Sequence, residues 1–200
     1  PVINQHGRMN FPSAHRLNQT ERSRGLIANA DVILGLEVWD FWGTVNSLRD
    51  QVHRTSRPLT KPNTKMIAIS ASDLNTKSNY QDFQRFPDLD LSMAADSEAT
   101  LPALTEACKR LLTGDRKRIF EDRANKLAEV HQQARERMRL EASYAWDASP
   151  ISTARMTMEI WTQIKDKDWS LVSNNAWPQR LWSFDRHYQY IGGAGGADDD

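Results

Sequence analysis

An α/β fold on a parallel sheet is what this sequence predicts, and three observations predict it. Short apolar runs alternate with stretches of helical periodicity. The strongest run, Asp31-Val32-Ile33-Leu34-Gly35-Leu36-Glu37-Val38, is apolar almost throughout, as expected of a strand covered on both faces. A charged segment with one narrow apolar seam then separates the strand-bearing part from a shorter second part. The expected division is an incomplete α/β domain over 1–113, a long linker helix over 114–148, and the start of a second α/β domain over 149–200.

Taken in order, Pro1-Val2-Ile3 reads as the end of a strand, and His6 to Pro12 as a loop punctuated by Gly7 and Pro12. Gly25 to Ala30 reads as a short helical turn leading into the 31–38 strand. A polar loop from Thr55 to Thr64 separates it from a second strand, Lys65 to Ser70, and Leu89 to Met93 makes a weaker third. The helix around Leu101 to Leu112 puts Leu101, Leu104, Cys108 and Leu111 on one face, with Gly114 suited to a left-handed cap. From Asp115 to Ala145, the residues Phe120, Ala124, Leu127, His131, Ala134 and Met138 recur at intervals of 4, 3, 4, 3 and 4. That seam reads as the packing stripe of a linker helix, with His131 a packed side chain; a dimerising coiled coil, the alternative, needs more heptads. Beyond Pro150, Ser152 or Thr153 caps a helix through Lys165 with Met156, Ile160, Trp161 and Ile164 on one side. Asp166-Lys167-Asp168 turns the chain into a candidate strand, Trp169 to Ser173, followed by a short helix over Gln179 to Phe184. Gly192-Gly193-Ala194-Gly195-Gly196 then leads into three aspartates.

Composition narrows the function classes. Lys+Arg and Asp+Glu balance at 26 each, so no global field attracts DNA, RNA or an anionic membrane, and neither is an expected partner. Arg116-Lys117-Arg118 is followed at once by Glu121 and Asp122, as on a solvated helix face. A single cysteine, Cys108, excludes an internal disulfide and fits a reducing, cytoplasmic setting. Its place on an apolar helical stripe reads as a buried core thiol rather than a nucleophile. No apolar run reaches the length of a membrane span, and the first residues lack a signal peptide's pattern.

Familiar chemistries are missing from the motif inventory. The chain has no Cys-x-x-Cys, no His-Glu-x-x-His, no Gly-x-x-x-x-Gly-Lys-Ser/Thr and no Gly-x-Ser-x-Gly. His6, His15, His53, His131 and His187 are scattered without metal-ligand spacing. Two features remain. Trp39, Phe41 and Trp42 follow the best strand, at the edge where open parallel sheets bind ligands, and read either as pocket walls or as core. The glycines from Gly192 to Gly196 read either as a close-approach loop for a cofactor or as a flexible linker.

The order of these segments resembles one family. Gly7-Arg8-Met9-Asn10-Phe11-Pro12-Ser13-Ala14-His15-Arg16-Leu17, Ala30 to Leu36, Ile67 to Ser72 and Ala94 to Leu101 are similar, in that order, to stretches of a central domain. That domain is the Rossmann-like one of thiamine-diphosphate-dependent enzymes of the acetolactate synthase and benzoylformate decarboxylase group. Pro150 to Ser173, Trp182 and Tyr190 to Gly196 resemble the opening helix, first strand, next aromatic residue and glycine-rich segment of the diphosphate-binding domain. The resemblance covers Gly7 to Ala197; each motif is weakly specific, and order and spacing carry the case.

The resemblance implies a parent enzyme acting on 2-keto acids, by decarboxylation or carboligation, with thiamine diphosphate and Mg²⁺ and a homo-oligomeric assembly. It implies that Asn175 and Gln179 approach the diphosphate and that Gly193, Gly195 and Gly196 lie beneath the aminopyrimidine. The catalytic glutamate is expected from a domain before Pro1 and the metal-binding Gly-Asp-Gly…Asn beyond Asp200, so this stretch by itself is expected to be an inactive fragment without catalytic or metal residues. Departures from the pattern are Asn175-Ala176-Trp177-Pro178 in place of Asp-Val-Gly-Gln, and Asp198-Asp199-Asp200 in place of glycines and apolar residues. The aspartates read as a truncation scar or an added tail. Relatives sometimes carry FAD or a nucleotide in the central domain, but nothing here matches Gly-x-Gly-x-x-Gly. The alternative function is a non-catalytic nucleotide-binding α/β module or a remnant.

Overall fold

Continuous apolarity builds the first strand of a small parallel sheet. The computed structural model describes residues 1–4, 9–50, 55–71, 85–172 and 179–190, without the side chains of 48–50 and 179. The chain divides into two units, Arg22–Lys117 and the pair of segments Pro1–Glu21 and Arg118–Asp200.

The Arg22–Lys117 unit is an α/β domain with flanking helices and a generic Rossmann-like topology. Its elements are α1 (Ser23–Asn29), β1 (Val32–Leu36), α2 (Phe41–Val45), β2 (Asn46–Asp50), β3 (Thr55–Pro58), β4 (Lys65–Ser70), β5 (Leu91–Ala94) and α3 (Ser97–Arg110). The main sheet has the order β1-β4-β5, and both pairings are parallel. Leu34 pairs with Ile67 and Leu36 with Ile69, while Ile67 pairs with Leu91 and Ile69 with Met93. Paired residues of parallel strands share a face, so Val32, Leu34, Leu36, Ile67, Ile69, Leu91 and Met93 form one apolar surface.

The opposite face receives α2. A Cβ on Gly35 would meet the Phe41 ring at 3.1 Å, so glycine is what lets that ring lie against β1. Phe41, Trp42 and Val45 are buried there, and Asp40 caps the helix by accepting from the Gly43 amide at 2.8 Å. The apolar surface is different. Ile69 is buried, but Val32 (58% exposed), Leu34, Leu91 and Met93 are not, so the expectation of a first strand covered on both faces is met for β1 on one face only. A run of apolar residues reports the tendency to be covered, and not which segment does the covering.

The other unit is held by aromatic side chains. It contains most of α4 (Gly114–Ser143), which begins in the last residues of the first unit, and α5 (Thr153–Ile164). Ser152 caps α5 by accepting from the Arg155 amide, and Trp161 and Ile164 pack on the buried cluster of Met9, Trp182 and Phe184. Trp161 stacks on Trp182 at 5.6 Å between ring centroids, with Trp169 edge-on to both. The Trp182 indole donates to the carbonyl of Thr157, a residue with no exposed surface. The seam of α4 is half-buried from Ala124 to Met138, and Gln19 donates to the Leu127 carbonyl at 2.9 Å.

Several local expectations are corrected. Pro1–Ile3 is no strand; Val2 makes an isolated bridge with Asn18. Trp169–Val172 likewise reduces to one bridge, Leu171 with Tyr190, and the helix expected over 179–184 is a single 3-10 turn, Gln179–Leu181. The 55–64 loop opens with β3, which pairs antiparallel with β2. Gly114 starts α4 instead of closing α3, whose end is Leu111 in right-handed helical geometry. Among the described residues no helix is long and apolar enough to cross a membrane.

Candidate functional site

In an open parallel sheet the carboxyl ends of the strands are where loops and helix N-termini converge. Here Glu37 follows β1 in the left-handed region, φ 47°, an uncommon conformation for a residue with a Cβ. The bend turns its side chain across the sheet edge. One carboxylate oxygen accepts from the Ser70 hydroxyl at 2.9 Å, and both accept from the Ala71 amide at 3.1 Å. The other oxygen also takes the Ser97 amide at 3.2 Å and the Ser97 hydroxyl at 3.1 Å, in the first turn of α3. The same Ser97 hydroxyl lies 3.2 Å from the Ile69 carbonyl, so its one proton is shared between the two acceptors. A single carboxylate thus ties the ends of β1 and β4 to the start of α3.

Desolvation pushes the Glu37 carboxyl up, but the donors from Ser70, Ala71 and Ser97 together hold it below the usual carboxylate range. A carboxylate stabilised as an acceptor is a poor general base, because every bond it accepts favours leaving it ionised. This edge is therefore a bracket. Asp96 strengthens it by capping α3 through the Ala99 amide at 2.7 Å.

Of the three aromatic residues proposed for this edge, Phe41 and Trp42 are core, and Trp39 is 49% exposed just after the Glu37 bend. Glu37 is the residue whose part went unread in the sequence. Its signal was an acidic residue directly after an apolar strand that contains a glycine, which resembles many strand ends.

The second candidate region belongs to the other unit. Asn175, Gly193, Gly195 and Gly196 lie outside the described residues, and Gln179 opens the 3-10 turn without a described side chain. Among the described residues of this unit, Tyr188 donates to Asp168 at 2.8 Å and accepts from Arg186 at 2.6 Å, while Arg180 lies 3.4 Å from Glu21. Among the described residues no group of His, Cys, Asp and Glu is arranged to hold a metal ion. Comparison with protein-family models, with curated proteins and with solved structures returned no match.

Proposed function

We propose that this chain is the central α/β part of a thiamine-diphosphate-dependent enzyme acting on 2-keto acids, with the opening of its cofactor domain, and that its own part is to support rather than to catalyse. One observation carries the reading. The segments similar to that family's central domain coincide with β1, the end of β4, and the β5–α3 junction of a parallel sheet, in that order. In the same reading the pair Trp161–Trp182 is the base on which the cofactor domain starts. Asn175, Gln179, Gly193, Gly195 and Gly196 then belong to the wall along thiamine diphosphate. The cofactor supplies carbanion chemistry at a 2-keto carbonyl; the residues of this chain hold the scaffold beside it. A homo-oligomeric parent belongs to the same proposal.

Sequencing the coding DNA on both sides of the 200 residues, then assaying the protein encoded by the whole frame, tests this. The expected result is carbon dioxide release from pyruvate or benzoylformate that requires thiamine diphosphate and Mg²⁺. A frame without the glutamate-bearing and Gly-Asp-Gly…Asn segments, or an encoded protein inactive on both acids, overturns it. The second reading, a nucleotide-binding α/β module, draws on the parallel sheet edge alone, where both Glu37 oxygens already accept from Ser70, Ala71 or Ser97. It expects a melting temperature that rises with an adenine nucleotide.

A further inference from the structure

Three arginines gather around two serine hydroxyls at the β2–β3 hairpin. Ser47 on β2 stands directly opposite Arg57 on β3, so their side chains share one face of the ribbon. Arg24, from the first turn of α1, reaches that face and donates to the Ser47 hydroxyl at 3.1 Å. Ser56, one residue before Arg57, points to the other face, where Arg85 donates to its hydroxyl at 3.3 Å. The Arg85 guanidinium also lies over the Trp42 ring, 4.9 Å from its centroid. Phe86, the next residue, is 44% exposed.

Among the described residues no carboxylate is ion-paired with Arg24, Arg57 or Arg85, whereas Lys61, Lys65 and Lys109 of the same unit each hold one. Arg24 and Arg57 therefore bring like charges to one hydroxyl with no acid between them. A guanidinium carries five N–H donors, and the serine takes one of them. All three arginines are exposed, and their other donors suit phosphate oxygens, which a guanidinium fork binds in pairs. Zero net charge removes a field over the whole molecule and leaves a local one intact.

Exposed guanidiniums hold a single small anion weakly, because water and salt screen them. Arginines on both faces of a two-stranded ribbon are also beyond the reach of one phosphate, and a chain of phosphates reaches both. The exposed Phe86 ring beside Arg85 adds a flat apolar face next to a cation, on which a base stacks. We propose that the β2–β3 hairpin binds single-stranded nucleic acid, with Arg24, Arg57 and Arg85 on backbone phosphates and Phe86 under a base. An unpaired strand is favoured over a duplex, whose bases stack on one another and are closed to Phe86. The inference stands on the hairpin and is independent of the thiamine reading.

The test is fluorescence anisotropy of a labelled oligodeoxythymidylate of about 12 nucleotides, titrated with the full chain at several salt concentrations. Three phosphate contacts predict a slope of about −2 in log K against log salt, so affinity falls roughly twentyfold between about 50 and 200 mM. Arg24→Gln/Arg57→Gln is expected to weaken binding at low salt about tenfold or more and to flatten the slope to about −0.7. Phe86→Leu is expected to weaken binding about fivefold and to leave the slope unchanged. Arg137→Gln, which removes an exposed charge from α4, is expected to change neither, and all variants keep the same circular dichroism spectrum. No binding at about 50 mM salt overturns the proposal. So does a slope that Arg24→Gln/Arg57→Gln leaves unchanged, an equal loss from Arg137→Gln, or full affinity in Phe86→Leu. A duplex of the same length bound as tightly, or phosphatidylglycerol vesicles bound in place of the oligonucleotide, overturns it as well.

Discussion

Glu37 and His131 are both titratable, and their surroundings act on them in different ways. Glu37 accepts from Ser70, Ala71 and Ser97, and these bonds outweigh its desolvation, so its carboxyl titrates below the usual range. The stability it contributes is present above the ordinary carboxyl value of about 4.3 and is lost as pH falls through the lowered folded value. Because the group is largely exposed, the loss is discounted for solvent screening. Glu37→Gln turns an amide N–H₂ toward donors and is expected to cost about 1 kcal/mol in urea unfolding at neutral pH. An unchanged midpoint would remove the bracket. His131 is shifted down, first by desolvation and then by the charge of Arg135, with a smaller contribution from His15; bonds with the backbone of Asn18 and Ala14 oppose the shift. Its Nε2 is buried without a partner. The folded unit therefore favours neutral imidazole: its stability is full above the ordinary value of about 6.5 and is lost as pH falls from there through the lowered folded value. His131→Gln is expected to flatten that acid-side decline, read as the urea midpoint at about pH 7.5 and about pH 5.5, on either side of the ordinary value.

At the scale of elements, periodicity was the most legible signal. The apolar run of β1, the run of β4, and the stripe and cap of α5 each name their element from the sequence, because side chains repeat at the period of the structure they build. The β2–β3 hairpin was illegible for the converse reason: Asn46–Asp50 and Thr55–Pro58 are mostly polar and carry no alternation to read. Cys108 was misplaced by a sound rule, since an apolar stripe predicts a covered face and α3 is buried only at Ser97 and half-buried at Thr100 and Leu104. The end of α4 shows a further departure. The chain leaves the helix through Ala145 at φ 55°, where glycine is the usual choice. Ala145→Gly exchanges a strained left-handed alanine for an unstrained glycine and is expected to stabilise the unit by about 0.5–1 kcal/mol, after the entropy glycine loses on folding. A lower melting temperature would contradict that.

For the whole molecule, sequence and structure agree on the α/β class. A parallel sheet with flanking helices followed from alternation of apolar runs and helical stretches, because that alternation leaves few other ways to bury the runs. The Glu37 bracket did not follow, because its donors come from positions 70, 71 and 97, and a partner 60 residues away leaves no trace in local pattern. The proposed cofactor wall rests on Asn175, Gln179 and the glycines by resemblance, and those positions leave no periodic signal of their own.

The bare side of the sheet has a practical consequence for anyone handling this protein. Val32, Leu34, Leu91 and Met93 present a greasy platform in the native state. Environment-sensitive dyes that light up on apolar surfaces are expected to fluoresce with the folded protein at room temperature, before any heating. A dye-based thermal scan then starts from a high baseline and falls or flattens where other proteins rise. Bright dye signal together with intact near-ultraviolet circular dichroism from the tryptophan cluster identifies this surface, and dye fluorescence with that dichroism lost identifies a molten state instead.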